Sequence, residues 1–236
     1  MRNLALRFGG DVVFENLNFE VPAGRLLALL GPSGVGKTSL LRIIAGLETA
    51  ASGSVMASDS APLHGRVAYM AQQDLLLPWA NLLSNVMLGA TLRHEKKDID
   101  RAAHLLSQVG LAGRERALPA ALSGGMRQRA ALARTLYEQR PVVLMDEPFS
   151  ALDSITRARI QNLAAELLAG RTVLLITHDP MEACRLGHHL LVLSGQPARL
   201  GNAVEVHGQP PRAADDPLVL HTQGKLLNTL EAMAPE

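Results

Sequence analysis

Apolar and polar positions alternate early in the chain. Val13, Leu17, Phe19 and Val21 interleave with Asn16, Asn18 and Glu20, after a turn at Gly9-Gly10. A period of two predicts short antiparallel strands with one buried face. Beyond the turn at Pro22-Ala23-Gly24 the pattern changes: residues 26–30 are continuously apolar, as expected for a strand covered on both faces. A glycine-rich loop follows, and residues 37–45 take helical spacing. A second strand is predicted at 67–70. Residues 81–122 are mostly helical in pattern, with Val86, Leu88, Ile99, Leu105, Leu106 and Val109 as apolar positions. Ser123-Gly124-Gly125 interrupts this stretch and opens a helix at 126–138. Strand and helix then alternate, with strands at 142–145, 172–176 and 190–193 and helices at 154–169 and 180–186.

Such alternation around buried strands predicts a mostly parallel α/β sheet. An antiparallel β subdomain precedes it, and a helical lobe, about 73–130, is inserted into it. The 236 residues fit a single domain, 1–236. The tail, about 195–236, is rich in Pro, Gly and Ala; it is predicted to be irregular up to a short helix at 225–232.

Composition narrows the functions open to such a fold. Four Phe, two Tyr and one Trp make only 3% of the chain, few for a protein that stacks unpaired bases. Basic and acidic residues number 23 and 22, so a net charge of +1 gives no basic footprint for nucleic acid. Cys184 is the only cysteine; it forms no internal disulfide and no cysteine-rich zinc cluster, which fits a reducing compartment. The longest apolar runs, 26–30 and 142–145, are far below the ~20 residues of a membrane span. The start, Met1-Arg2-Asn3, leads into no apolar h-region, so no secretory signal is expected.

The chemistry is carried by loops at the strand ends. Gly31-Pro32-Ser33-Gly34-Val35-Gly36-Lys37-Thr38 matches G-x-x-x-x-G-K-[ST] in full, with a buried strand before it and a helix after it. Glycines let backbone N–H groups turn inward as an anion nest, and the helix N-terminus adds partial positive charge. Lys37 can reach the β- and γ-phosphates of a nucleotide, and the Thr38 hydroxyl can ligate Mg²⁺. At the end of another apolar strand, Asp146 is placed to hold Mg²⁺ and Glu147 to polarise an attacking water as general base.

Leu122-Ser123-Gly124-Gly125-Met126-Arg127-Gln128-Arg129 resembles the signature sequence of the ATP-binding cassette (ABC) ATPases, and the remaining motifs of that family stand in order. Gln72 resembles the Q-loop glutamine, Ser150-Ala151-Leu152-Asp153 the D-loop and Thr177-His178-Asp179 the switch-histidine loop. Phe8 stands where the family places a ring on adenine, its other reading being strand packing. The resemblance runs from about residue 8 to 193 and implies a P-loop NTPase fold with a RecA-like core. It implies ATP on Phe8, residues 31–38 and Ser39. Glu147, His178 and Gln72 are then catalytic, and Mg²⁺ sits at Thr38, Gln72 and Asp146. It also implies a head-to-tail homodimer, in which Leu122, Ser123, Gly124, Gly125 and Met126 of one copy close on the ATP of the other. Many relatives carry Gln where Met126 stands; the contacts of Ser123 and Gly125 do not depend on it.

Only 50 residues, 73–122, separate Q-loop from signature, too short for the long coiled coils of DNA-repair members. A single cassette without membrane spans resembles the free-standing ATPase subunit of an importer, peripheral on the cytoplasmic face of the inner membrane. Leu76-Leu77-Pro78-Trp79 falls where the family receives a coupling helix from a permease, although Trp79 also reads as packing within the lobe. The wording of that segment and of the signature resembles importers of nitrate, sulfonate and taurine, and of thiamine-pyrimidine precursors, which work with a secreted solute-binding protein. The competing classes are a non-transport ABC ATPase of regulation or envelope assembly and a binding module without turnover.

Overall fold

The computed structural model describes residues 1–232; the last four positions of the predicted domain and tail lie outside them. Strands β1 (Arg2–Phe8) and β2 (Asp11–Leu17) pair antiparallel around the Gly9-Gly10 turn. Next come β3 (Leu26–Leu30), α1 (Lys37–Ile44) and β4 (Ser52–Ser54), which joins the other edge of β1, and then β5 (Val67–Met70). Four helices follow: α2 (Leu82–Val86), α3 (Leu88–Leu92), α4 (Ile99–Gln108) and α5 (Gly124–Tyr137). The chain continues through β6 (Val142–Asp146), α6 (Ser154–Leu167), β7 (Thr172–Ile176), α7 (Pro180–Leu186) and β8 (His189–Ser194). It closes with β9 (Arg199–Leu200), β10 (Val204–Glu205) and α8 (Pro217–Ala232).

The main sheet runs β10-β8-β3-β7-β6-β5, with β9 on β8. Strands β8, β3, β7, β6 and β5 run parallel. Successive residues of a strand face opposite sides, and here they divide between two cores. Leu26, Ala28, Leu30, Val143, Met145, Val173 and Leu175 pack with α2 and α4–α8. Leu27, Leu29, Leu144, Leu174 and Ile176 pack on the other side with Leu40, Leu41 and Ile44 of α1 and Phe14 of β2. A sheet covered on both faces explains why β3 is apolar at every position.

This strand order fixes where the loops go. In β8-β3-β7-β6-β5 the carboxyl ends of neighbouring parallel strands bring residues 31–38, 177–179, 146–147 and 72 along one rim. Open α/β sheets bind ligands at this rim. Among the described residues no helix is long and apolar enough to cross a membrane.

The tail differs from its predicted irregularity. It adds β9 and β10 to β8, and its helix starts at Pro217, eight residues before the predicted 225. The cause is a buried Arg212, whose guanidinium donates to the carbonyls of Val206, His207, Gly208, Cys184 and Gly187. One side chain thereby satisfies backbone groups that a Pro/Gly-rich segment cannot pair by itself. Val219 and Leu226 anchor α8 in the core. R212A should cost about 3 kcal/mol, since it orphans several buried acceptors. Thermal unfolding checks this, with a Tm lowered by roughly 6–12 °C expected for a chain of this size; an unchanged Tm would show that the tail is not held by Arg212.

Candidate functional site

The phosphate loop is built by close packing around its glycines. Gly31 (φ +152°) lies so near Leu193 that a Cβ would collide with its carbonyl oxygen. Gly36, at φ +104°, would bring a Cβ within 2.7 Å of Val13 Cγ1 on the β1–β2 hairpin. Backbone N–H groups can therefore converge where side chains would otherwise stand. Lys37, at the start of α1, is buried, and its Nζ donates to Gly31 O at 2.7 Å and Pro32 O at 2.8 Å. Burial lowers its pKa, while Glu147 and Asp146 oppose the shift.

Asp146 ends β6 at 2% exposure, and its Oδ2 has no hydrogen-bond partner. Burial raises its pKa and Glu147 adds to the rise; the Thr38 hydroxyl and Lys37 pull it down. A buried carboxylate oxygen without a donor is suited to a cation. The next residue, Glu147, takes φ +47°, a left-handed backbone that side chains rarely adopt. Its N–H donates to Ile176 O at 2.9 Å, and its side chain turns out of the sheet. There, Oε2 accepts from Gln72 Nε2 at 3.2 Å and lies 3.3 Å from His178 Nδ1. Three side chains from the ends of β5, β6 and β7 thus meet at one carboxylate oxygen. Strain of this kind is kept where surrounding structure holds a side chain in a working position.

Ser123 caps α5, its Oγ accepting from Met126 N at 3.3 Å. Gly125 lets the helix approach the Ser150–Asp153 loop, since a Cβ would stand 3.1 Å from Ala151 O and 3.3 Å from Leu152 Cδ2. Among the described residues no hydrogen bond joins 122–126 to 31–38. Phe8 ends β1 with its ring half-exposed. Trp79 is 76% exposed and does not pack the helical region. Leu76, in contrast, is buried in the core, so the exposed surface near it comes from Leu75, Pro78 and Trp79.

Several residues have structural roles that the sequence does not announce. Gln128 is buried; its Nε2 donates to Glu147 O at 3.1 Å and its Oε1 accepts from Ala151 N at 2.8 Å. Its partners lie 19 and 23 residues away on another loop, so no local signal in the sequence marks it. Arg127 and Arg134 on α5 hold residues 74–75: Arg127 Nε donates to Asp74 Oδ2 at 3.0 Å, and Arg134 to Asp74 O and Leu75 O. Asn85, fully buried on α2, braces residues 77–81 by bonding Leu77 N, Leu77 O and Ala80 O. Q128A should destabilise the chain by about 1–3 kcal/mol, the cost of orphaned backbone groups. Urea unfolding with an unchanged m-value measures it, and a variant as stable as wild type would deny Gln128 this bridging role.

The comparisons with known proteins agree with this geometry. A family model described as "ABC transporter" matches residues 14–150. The chain is 40% identical over 226 residues to an aliphatic sulfonates import ATP-binding protein SsuB 1 of Pseudomonas syringae pv. syringae, covering 95% of this chain and 92% of the relative. A protein of the same name from Rhodococcus jostii is 48% identical over 192 residues, 80% of this chain and 76% of its own length. Among solved structures, the ATP-binding cassette MJ0796, a dimer in a post-hydrolysis state bound to ADP and Pi, superposes with a TM-score of 0.79 at 28% identity, covering 88% of this chain and 98% of that one. Fold, family model and curated relatives coincide, and the chain belongs to the ATP-binding cassette family of ABC transporters.

Proposed function

We propose that the chain is the ATP-hydrolysing, energy-coupling subunit of an importer for a small anionic solute of the sulfonate type, working as a homodimer that sandwiches two ATP molecules. The observation that carries this reading is the convergence of Gln72, Glu147 and His178 beside the phosphate loop, in a chain whose relatives are named as sulfonate import ATP-binding proteins.

Residues 31–39 cradle the phosphates through backbone N–H groups, and Phe8 offers its ring to adenine. Phosphate oxygens would compete with Gly31 O and Pro32 O for Lys37 Nζ. Thr38, Gln72 and Asp146 are the residues that would hold Mg²⁺. An Mg²⁺ here would take the Asp146 carboxylate and fill its shell with phosphate and water. When bound, Mg²⁺ neutralises charge that builds up on the phosphates. Glu147 takes a proton from the attacking water, Gln72 orients that carboxylate, and His178 stands where the γ-phosphate edge would lie. Ser123 to Gly125 of the second copy close the far side with a helix N-terminus.

Movement would reach the membrane through residues 74–79. Trp79 and Leu75 present apolar surface for a permease helix, Asn85 keeps the segment in shape, and Arg127 and Arg134 tie it to the helix that carries Ser123. The subunit therefore sits on the cytoplasmic face of the inner membrane through its permease, and a secreted binding protein delivers solute from the other side.

E147Q should keep ATP affinity, accumulate a closed dimer and lose at least about 100-fold in hydrolysis, as removal of a general base requires; hydrolysis at the wild-type rate contradicts the assignment. K37A should abolish nucleotide binding measured by calorimetry. Co-purification with the membrane subunits tests the transport role: W79A should break the complex and leave ATP binding intact. A wild-type chain that binds ATP and never associates with a permease would point to the non-transport class.

A further inference from the structure

Behind the rim of the site, two helices meet along a buried polar seam. α6 starts beyond Asp153, which accepts from Thr156 N at 3.0 Å, and α7 starts beyond Asp179, which accepts from Met181 N at 2.9 Å. Each helix thus leaves a loop of the site. On the first turn of α6, Arg157 donates to Leu152 O at 2.8 Å and stands 4.0 Å from Asp179 Oδ2. One turn on, Gln161 Nε2 donates to Glu182 Oε2 at 2.9 Å, while Gln161 Oε1 accepts from Arg185 Nη1 at 2.7 Å. Arg185 also donates to Asn162 Oδ1 at 2.7 Å and to Arg212 O at 3.0 Å.

Glu182 is the unsettled member of this seam. It is 4% exposed, and its Oε1 has no partner. Burial pushes its carboxyl up to about 7; Asp179, at the start of its own helix, adds to the rise, and Thr177, Gln161 and Arg157 oppose it. The other cations nearby, Arg185 and Arg212, are engaged by amide and carbonyl oxygens. Thr177 immediately precedes His178, and its hydroxyl accepts from Asp179 N at 3.0 Å. Glu182 lies on the helix that leaves the His178 loop, its N–H donating to Asp179 Oδ1 at 3.3 Å; through Gln161 it touches the helix that leaves the Ser150–Asp153 loop.

We propose that Glu182 is a positioning residue that locks the His178 loop to the helix leaving the Ser150–Asp153 loop, so that both shift as one piece. The inference rests on the reading of His178 given above. Besides this joint, the two loops are tied at the rim by the 4.0 Å pair of Arg157 with Asp179, so the buried Gln161–Glu182 bond adds a solvent-shielded link between the helices that leave them.

Hydrogen exchange on the full-length chain tests the joint without nucleotide. E182A should raise exchange at 150–153 and at 177–182 together, by roughly tenfold, the loss of about one buried hydrogen bond. Q161A should do the same, and it carries the test if E182A does not fold. With Mg²⁺ and ATP, E182A should lower kcat about 10–100-fold while the Kd for ATP stays within about twofold. E182Q keeps the shape without the titration, so it should restore kcat and remove any inflection of the pH profile between roughly pH 6 and 8. Its sign in stability is fixed as well. A carboxyl whose pKa rises on folding loses stability as pH climbs from the ordinary carboxylate range to about 7. E182Q should therefore melt above wild type at roughly pH 8, with the gap shrinking towards pH 5. Exchange that rises only within 180–186, or E182A with wild-type kcat and pH profile, overturns the proposal. A wild-type chain that hydrolyses no ATP would count against the proposed activity, while the exchange result still decides the role of Glu182.

Discussion

Asp146 is taken out of water at the end of β6 with one carboxylate oxygen unmatched, and much of the site is arranged around that charge. Burying a carboxylate is costly unless positive charge and donors are set against it. Lys37 and Thr38 come from α1, across the intervening strand β7, and they act on the charge of Asp146 because β3 and β6 run parallel and end at the same rim. The lysine is itself desolvated and held by two carbonyls of its own loop. Neither charge is comfortable alone. A polyanion on the lysine and a divalent cation on the aspartate would relieve both.

A second layer of interactions ties this site to the surface around Trp79. Glu147 stands in a strained backbone conformation, touched by Gln72 from one strand end and His178 from another. Its carbonyl is held by Gln128 and by Ser150, so the loop behind it is fastened to the helix that Ser123 caps. That same helix grips Asp74 and Leu75 through two arginines. Displacement at exposed Trp79 therefore has a continuous covalent and hydrogen-bonded route to the carboxylate. Separation of Ser123 from the phosphate loop within one chain leaves a second copy as the natural source of the missing wall.

How much of this could be read in advance depended on whether the chemistry was local in sequence. The loop at 31–38 is contiguous and is framed by a strand that must be apolar on both faces, so its position and its glycines could be read directly. The strand-end residues Asp146, Glu147 and His178 follow apolar runs that announce where each strand stops. Gln128 and Glu182 escaped notice because their partners lie 23 and 21 residues away on other elements, and nothing in their own turn shows which face is inward. The tail was misjudged for a related reason. Its Pro/Gly composition does suit irregular backbone, but a single arginine inserted beneath it supplies the donors that make it regular enough to pack. Leu76 was grouped with an exposed segment that it anchors from inside.

Native mass spectrometry with a non-hydrolysable ATP analogue and Mg²⁺ addresses the arrangement most directly. If the phosphate loop of one copy is closed by Ser123 to Gly125 of the other, nucleotide and dimer must appear together. The spectrum should show two chains carrying two nucleotides, with monomer dominant when nucleotide is withheld. A nucleotide-loaded monomer that persists at every protein concentration, or a dimer that forms equally well without nucleotide, would contradict it.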